Sequence, residues 1–340
     1  MTKTAIKKDY LPPVRGRITE SAPLGAIGWF KAGGVAEVLF KPADLEDLKE
    51  FLAALPPDVP VNIFGVLSNT IIRDGGVKGV TIRLGKEFTA IEALEGHRVR
   101  AGALALDASV AKAASDAGTA GLEFYSGIPG AIGGALRMNA GCYGTETKDV
   151  LIEASAIDRR GRLHIFKPSL SSPRKRGSDA GAEPGPRFRG ESSDVEMELS
   201  YRRNDLPEDY IFTGALFQGV PGDPKKIAAH MAGIRAKREQ TQPIREATGG
   251  STFANPSAME LSQAGLPEGT KVWQLIDRAK CRGLTIGGAQ MSELHCNFMI
   301  NTGGATAADL ENLGEEVRRR VYEDCGITLR WEIKRIGERV

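Results

Sequence analysis

The sequence is poor in cysteine, histidine, net charge and long apolar runs, and each shortage excludes something. Its four cysteines, Cys142, Cys281, Cys296 and Cys325, form no C-x-x-C pair and stand at no ligand spacing from the four histidines. No metal is therefore expected, and the thiols read as reduced. No apolar stretch approaches the roughly 18 residues that a membrane span needs. The N-terminal MTKTAIKKDYLPPVRG has neither an apolar core nor a small-residue cleavage site, so a cytoplasmic protein without a membrane partner is expected. A net charge of +2 is too small to argue for nucleic acid. No strand is followed by G-x-G-x-x-G, which removes the Rossmann fingerprint. GVTIRLGKE misses the phosphate-binding P-loop, with the wrong spacing and Glu87 after the lysine.

What is present is a soluble globular composition, 41% hydrophobic and 26% charged. At 340 residues the chain is too long for one ordinary core and predicts two or three domains. Glycine is abundant, 41 of 340 residues, against a usual share of about 7%. Such a chain turns tightly or brings its backbone close to a ligand.

Residues 35–88 alternate element types. VLF at 38–40, VNIFG at 61–65 and VTIRL at 80–84 read as strands. Between the first two, Leu45, Leu48, Leu52 and Leu55 share a helical face, capped by Asp44 and stopped by Pro56-Pro57. A helix is predicted to begin near Asp107. Then the composition breaks: residues 169–193, SLSSPRKRGSDAGAEPGPRFRGESS, lack apolar periodicity and carry five basic and three acidic residues. A basic loop of this kind can touch RNA, but a disordered insertion is the simpler reading, because nothing in it builds a core. IFTGALF (211–217) is strand-like, Asp223-Pro224 opens a helix lined by Ile227, Met231 and Ile234, and another helix covers about 271–280. Thr306-x-x-Asp309 is a capping box before Leu310, Leu313, Val317 and Val321, and ITLRWEIKRIG alternates as a closing strand.

Three stretches could carry chemistry. GLEFYSGIPGAIGGALRMNAGCYG (121–144) holds seven glycines and only two charges, Glu123 and Arg137. Backbone N–H groups in such turns form anion-binding nests that suit a pyrophosphate, although a set of structural turns explains the glycines too. GVLSNTIIRDGG (65–76) follows a strand, and its Ser68-Asn69 pair can meet phosphate or sugar oxygens or merely close an Asx-turn. In GGSTFANP (249–256), Ser251 either bonds its own turn or presents its hydroxyl to a substrate.

WFKAGGVAEVLFKP, FGVLSNTIIRDGG, the glycine run, YRRND, TQPIREATGGSTFANP and WEIKRIG follow one another over nearly the whole chain. In that order they resemble the UDP-N-acetylenolpyruvoylglucosamine reductase (UDP-N-acetylmuramate dehydrogenase) family, in its shorter type without an extra substrate-capping loop. The resemblance implies an α+β fold: a two-part FAD-binding domain of the vanillyl-alcohol-oxidase (PCMH) type and a C-terminal α+β substrate domain. The expected segments are an arm (1–24), two FAD subdomains (25–88 and 89–222) and a UDP-sugar domain (223–326). The second FAD subdomain contains the insertion 169–193 and is expected to receive the closing strand 327–337.

The implied chemistry is an NADPH-dependent reduction of the enolpyruvyl group of a UDP-sugar through non-covalent FAD. By motif position, Ser251 protonates the carbon next to the carboxylate. Arg202 and Glu332 stabilise the developing charge. FAD is expected to lie on Gly65, Ser68 and Asn69 and on Ser126, Gly127, Ile128, Pro129, Gly130, Gly133, Gly134, Asn139 and Gly141. Asn255, Arg238 and Lys334 are the expected substrate contacts. A weak acid such as serine serves because the dianionic enolate is a strong base, and a neutral donor buries no extra charge. Without the resemblance, Glu332 would read as a surface ion-pair partner on one face with Thr328, Arg330 and Lys334, and His295 as a hydrogen-bonded buried histidine. A monomer is favoured.

Four positions depart from the family pattern. Leu67 stands at a usual glycine, Gly28 at a threonine, Asn204 at a serine and Lys280 at a small residue. If residue 67 needs positive φ, leucine strains it by about 1 kcal/mol or more and weakens FAD binding. A catalytically impaired FAD and UDP-sugar binder is therefore the alternative reading. A flavin oxidase of the same superfamily is less favoured, since no histidine lies in the flavin loops.

Overall fold

Asp44 ends an extended stretch and accepts a hydrogen bond from the Asp47 N–H, so the helix Leu45–Ala54 starts where its leucines begin to repeat. Leu48, Phe51 and Leu52 are buried, and Phe51 packs on Phe40 with ring centroids 4.2 Å apart. The computed structural model describes residues 10–169 and 195–340. Apart from Ser169, the expected insertion lies outside the described residues. Contacts divide the chain into two units, each assembled from separate segments.

The first unit comprises Met1–Glu20, Val38–Val66 and Gly79–Ala236. A four-stranded sheet orders Arg17–Ala22, Ala36–Lys41, Val77–Ile82 and Val61–Ile63 side by side. A six-stranded sheet runs Val195–Met197, Leu163–Pro168, Leu151–Ile157, Ile211–Gln218, Arg98–Gly102, Ile91–Leu94. Its pairings are antiparallel except Phe166 with Val195 to Pro168 with Met197, which is parallel. One core joins Phe40, Val80, Val99, Tyr125, Ala154 and Phe217. The helix Asp107–Asp116 begins as expected, but Asp107 does not cap it: the N-cap is Leu106 and the Asp107 side chain is buried.

The second unit comprises Ser21–Glu37, Leu67–Lys78 and Lys237–Val340. Its four-stranded sheet orders Ala247–Thr248, Met299–Asn301, Ala289–Met291 and Thr285–Ile286. The helix Ala307–Cys325 has the expected capping box between Thr306 and Asp309 and ends at Gly326, whose φ is 73°. Leu310, Leu313, Val317 and Val321 are fully buried in a second core with Phe30, Ile71 and Phe253. Among the described residues no helix is long and apolar enough to cross a membrane.

The closing segment differs from expectation. Alternation holds through Ile327, Leu329 and Arg330 and then breaks, so the regular strand is only Lys334–Ile336. It pairs in parallel with Thr70–Ile72 instead of returning to residues 89–222. Ile333 and Ile71 share the second core, and that apolar contact fixes the partner. The segments 21–37 and 67–78 accordingly group with the C-terminal residues, not with the contiguous stretch 25–88.

Candidate functional site

In the first unit the glycine run is pinned to the segment before the Asp107–Asp116 helix. Leu106 and Ala131 form an antiparallel bridge; Asp107 N–H donates to Gly130 O (3.2 Å), and Gly133 N–H to Ala103 O (2.8 Å). The glycines then separate into two kinds. A Cβ on Gly127 would meet Ile234 at 2.9 Å, on Gly130 the Asp107 Oδ2 at 2.6 Å, on Gly133 the Ala103 O at 3.2 Å, and on Gly141 the Thr145 O at 2.6 Å. At these four the protein packs against the glycine, against backbone most tightly at Gly141. Gly65 and Gly134 are exposed, and a Cβ on either would meet nothing within 4 Å. These two leave backbone open to a ligand, and the first unit therefore fits a group held closely by main chain, as FAD would be.

Other expected cofactor residues have internal duties. The Ser126 hydroxyl donates to Glu123 O at 2.7 Å, which is turn chemistry. Asn139 ends the helix Ile132–Met138 in the left-handed region, φ 40°. Its buried amide donates to Glu146 Oε2 and Ser200 O and accepts from Lys148 N–H. Ile128 and Pro129 are half-buried in the same loop. Asp107, beneath Gly130, is wholly buried with neither carboxylate oxygen hydrogen-bonded to a described residue, and burial pushes its pKa well above the usual carboxylate range.

Arg202 lies at the tip of a hairpin whose two pairs are Leu199 with Asn204 and Ser200 with Arg203. Its φ of 57° turns the chain, and its guanidinium sits 5.6 Å from the Tyr201 ring centroid.

The second unit gathers Ser68, Asn69, Gly249, Gly250, Ser251 and Glu332. A Cβ on Gly249 would strike the Phe30 ring at 2.7 Å, and one on Gly250 would lie 3.1 Å from Asn69 Oδ1. Glu332 N–H donates to Thr252 O (2.9 Å), Asn69 Nδ2 donates to Glu332 O (3.1 Å), and Lys334 N–H donates to Asn69 O (3.0 Å). Thr252 N–H donates to Asn297 O at 2.7 Å. Ser251 is thus held through its neighbour, half-buried, with no described residue hydrogen-bonding its hydroxyl.

The expected substrate contacts are spread through the same unit. Asn255 Oδ1 accepts from Val272 N–H at 3.1 Å, which anchors the start of the helix Val272–Arg278. Arg238 donates through Nε to Gln242 Oε1 at 3.0 Å. Lys334 is exposed. His295 accepts at Nδ1 from Asn297 N–H, and burial lowers its pKa.

The departures acquire local causes. Leu67 has φ 56° and is buried, so the position does require the glycine-like conformation. A Cβ on Gly28 would lie 4.0 Å from the Leu67 Cβ, an ordinary contact distance, so the two departures are neighbours. Lys280, at φ 58°, is also left-handed. Two important residues escaped the sequence reading. Asp107 looks like an ordinary helix-starting acid, and nothing local announces its burial. Arg137 is one of only two charges in the glycine run, and that isolation was the available signal.

The family model described as FAD binding domain matches residues 36–167, and the one described as UDP-N-acetylenolpyruvoylglucosamine reductase, C-terminal domain, matches residues 242–336. A protein of Parvibaculum lavamentivorans named UDP-N-acetylenolpyruvoylglucosamine reductase is 55% identical, over 99% of this chain and 96% of its own. A protein of the same name from Paramagnetospirillum magneticum is 51% identical over 98% of this chain and 96% of its own. The crystal structure of the Thermus caldophilus UDP-N-acetylenolpyruvylglucosamine reductase superposes with a TM-score of 0.72 at 28% identity, covering 95% of this chain and 100% of that one.

Proposed function

Because the chain belongs to the UDP-N-acetylenolpyruvoylglucosamine reductase family, whose members are FAD-dependent oxidoreductases, we propose that it reduces the enolpyruvyl group of UDP-N-acetylglucosamine enolpyruvate with NADPH. The product is UDP-N-acetylmuramate, a peptidoglycan precursor. The observation that carries this reading is Ser251: a half-buried hydroxyl in a glycine turn, not committed to that turn. When bound, FAD would supply the chemistry of hydride transfer, taking hydride from NADPH and passing it to the enolpyruvyl group.

The protein's part is to hold the groups and manage charge and proton. Within the first unit, the open backbone at Gly65 and Gly134 is where FAD would be held. As hydride adds to the terminal carbon, the double-bond electrons move onto the adjacent carbon and its carboxylate. Arg202 offers a planar fork to that dianion. Glu332, protonated, donates a hydrogen bond to the same carboxylate. Ser251 then gives its proton to the adjacent carbon, completing the addition of two hydrogens. Asn255, Arg238 and Lys334 contact the UDP-sugar. The same reading expects a cytoplasmic monomer.

The test is spectroscopic. The purified protein should be yellow, bleach anaerobically with NADPH, and recover its colour with the enolpyruvyl sugar. Ser251→Ala should keep the bleaching and slow the recovery by about 10²-fold or more, the usual loss for a general acid. Equal slowing of both steps would remove Ser251 from the donor role. A protein that stays colourless with added FAD would favour the impaired binder, for which the left-handed Leu67 supplies a cause.

A further inference from the structure

Arg202 sits on a hairpin too short to hold itself. Two residue pairs, continued only by Asp205 N–H to Glu198 O (3.2 Å) and Glu198 N–H to Asp205 Oδ1 (2.9 Å), make no independent ribbon, yet a group that stabilises charge must be kept in place. The support comes from the end of the helix Ile132–Met138. Asn204 Nδ2 donates to Leu136 O (3.1 Å) and Arg137 O (3.0 Å), carbonyls of the last helical turn, where Leu136 O also takes the Asn139 N–H at 3.5 Å. Asn204 Oδ1 accepts from Arg137 Nη1 (3.3 Å) and Leu206 N–H (3.0 Å). Both donors and both lone pairs of this buried amide are thus used. On the other strand, Asn139 holds Ser200 O at 3.2 Å. Arg137 continues outward to Leu206 O (3.2 Å), Pro207 O (3.0 Å) and Tyr210 O (2.5 Å), with its guanidinium 5.1 Å from the Phe212 ring centroid. It makes no ion pair with a described carboxylate; carbonyls take its donors instead. The helix that carries this clamp begins where the glycine loop ends.

We propose that Asn204 and Arg137 are positioning residues that lock the Arg202 hairpin in register with the glycine loop at 127–131. The inference rests on the role given to Arg202 above. A serine at 204 would have one donor proton and could not make all four bonds. Asparagine at this position therefore strengthens the hold.

The test uses the FAD-loaded full chain. Asn204→Ala should leave flavin reduction by NADPH within about twofold and slow reoxidation by the enolpyruvyl sugar at least tenfold. Asn204→Ser should recover part of that loss. Adding Asn204→Ala to Arg202→Ala should slow reoxidation no further than Arg202→Ala alone. Hydrogen exchange at residues 200–203 should quicken in Asn204→Ala, with exchange at 211–218 unchanged. Slowing of both half-reactions alike, or full additivity with Arg202→Ala, overturns the positioning role. Unchanged exchange at 200–203 overturns the clamp whatever the rates do. Faster exchange together with a wild-type rate in Arg202→Ala overturns the assignment of Arg202 itself, and the positioning role with it. If Asn204→Ala does not fold, Arg137→Lys keeps the charge, loses the fork over Leu206, Pro207 and Tyr210, and is read in the same ways.

Discussion

Leu67 and Gly28 are best understood as a pair. Leucine at φ 56° is strained by about 1 kcal/mol or more, yet its side chain is buried, which contributes about 1.5–3 kcal/mol. Leu67→Gly therefore relieves strain but opens a cavity, and Gly28→Thr, whose Cβ would lie at contact distance from the leucine (4.0 Å), brings two further heavy atoms toward that space. The double variant should recover stability that each single variant loses, with a coupling of about 1 kcal/mol in urea denaturation. Additivity within about 0.5 kcal/mol would refute the pairing. FAD affinity measured on the same four proteins shows whether strain at Leu67 reaches the cofactor turn.

Asp107 makes a pH prediction with a definite sign. Its folded pKa is raised by burial, so the folded state holds a proton that the unfolded state releases above about pH 4. Stability should fall as pH rises through that window. Asp107→Asn cannot titrate. Its stability relative to the natural chain should be near equal at acid pH and grow more favourable toward neutrality in paired thermal melts. A constant difference across pH would mean that Asp107 ionises freely in the fold.

At the scale of elements, the helix Ala307–Cys325 contains a glycine that propensity disfavours by about 1 kcal/mol relative to alanine. Packing reverses that preference. A Cβ on Gly314 would sit 2.0 Å from the Trp331 indole. That ring cannot easily retreat: it packs on Phe253 at 5.0 Å, lies under Arg335 at 4.4 Å and donates to Glu315 Oε1 at 2.9 Å. Gly314→Ala should destabilise by about 1–3 kcal/mol, the usual cost of overpacking, and a rise in Tm would show that the indole has room. Because Phe253 and Trp331 are neighbours of Thr252 and Glu332 in sequence, the variant should also slow reoxidation by the sugar.

For the whole molecule, the second core is built from three segments of chain, with Phe30 and Ile71 among its fully buried members. A fragment of residues 237–340 lacks both, and it lacks the partner strand Thr70–Ile72 as well. Although its long helix is well capped, the fragment should show no cooperative thermal unfolding by circular dichroism. A sharp transition would mean that the C-terminal segment closes its own core.

Much of this was legible in the sequence because it is local. Caps at Asp44 and Thr306, the leucine repeat of 45–55 and the apolar face of 307–325 depend on contacts a few residues apart, which periodicity records directly. The order of the glycine-rich motifs was enough to name the family and its flavin chemistry. Only the tertiary structure decided which glycines are packed, as Gly127, Gly130, Gly133 and Gly141 are, and which are open, as Gly65 and Gly134 are. It alone paired the closing strand with Thr70–Ile72, buried Asp107, left the Ser251 hydroxyl unbonded by its turn and joined Asn204 to a helix more than sixty residues away. The physical reason is range. A cap or a helical face is set by neighbours along the chain, whereas a close approach between distant residues depends on how apolar segments share a core, which no local pattern encodes.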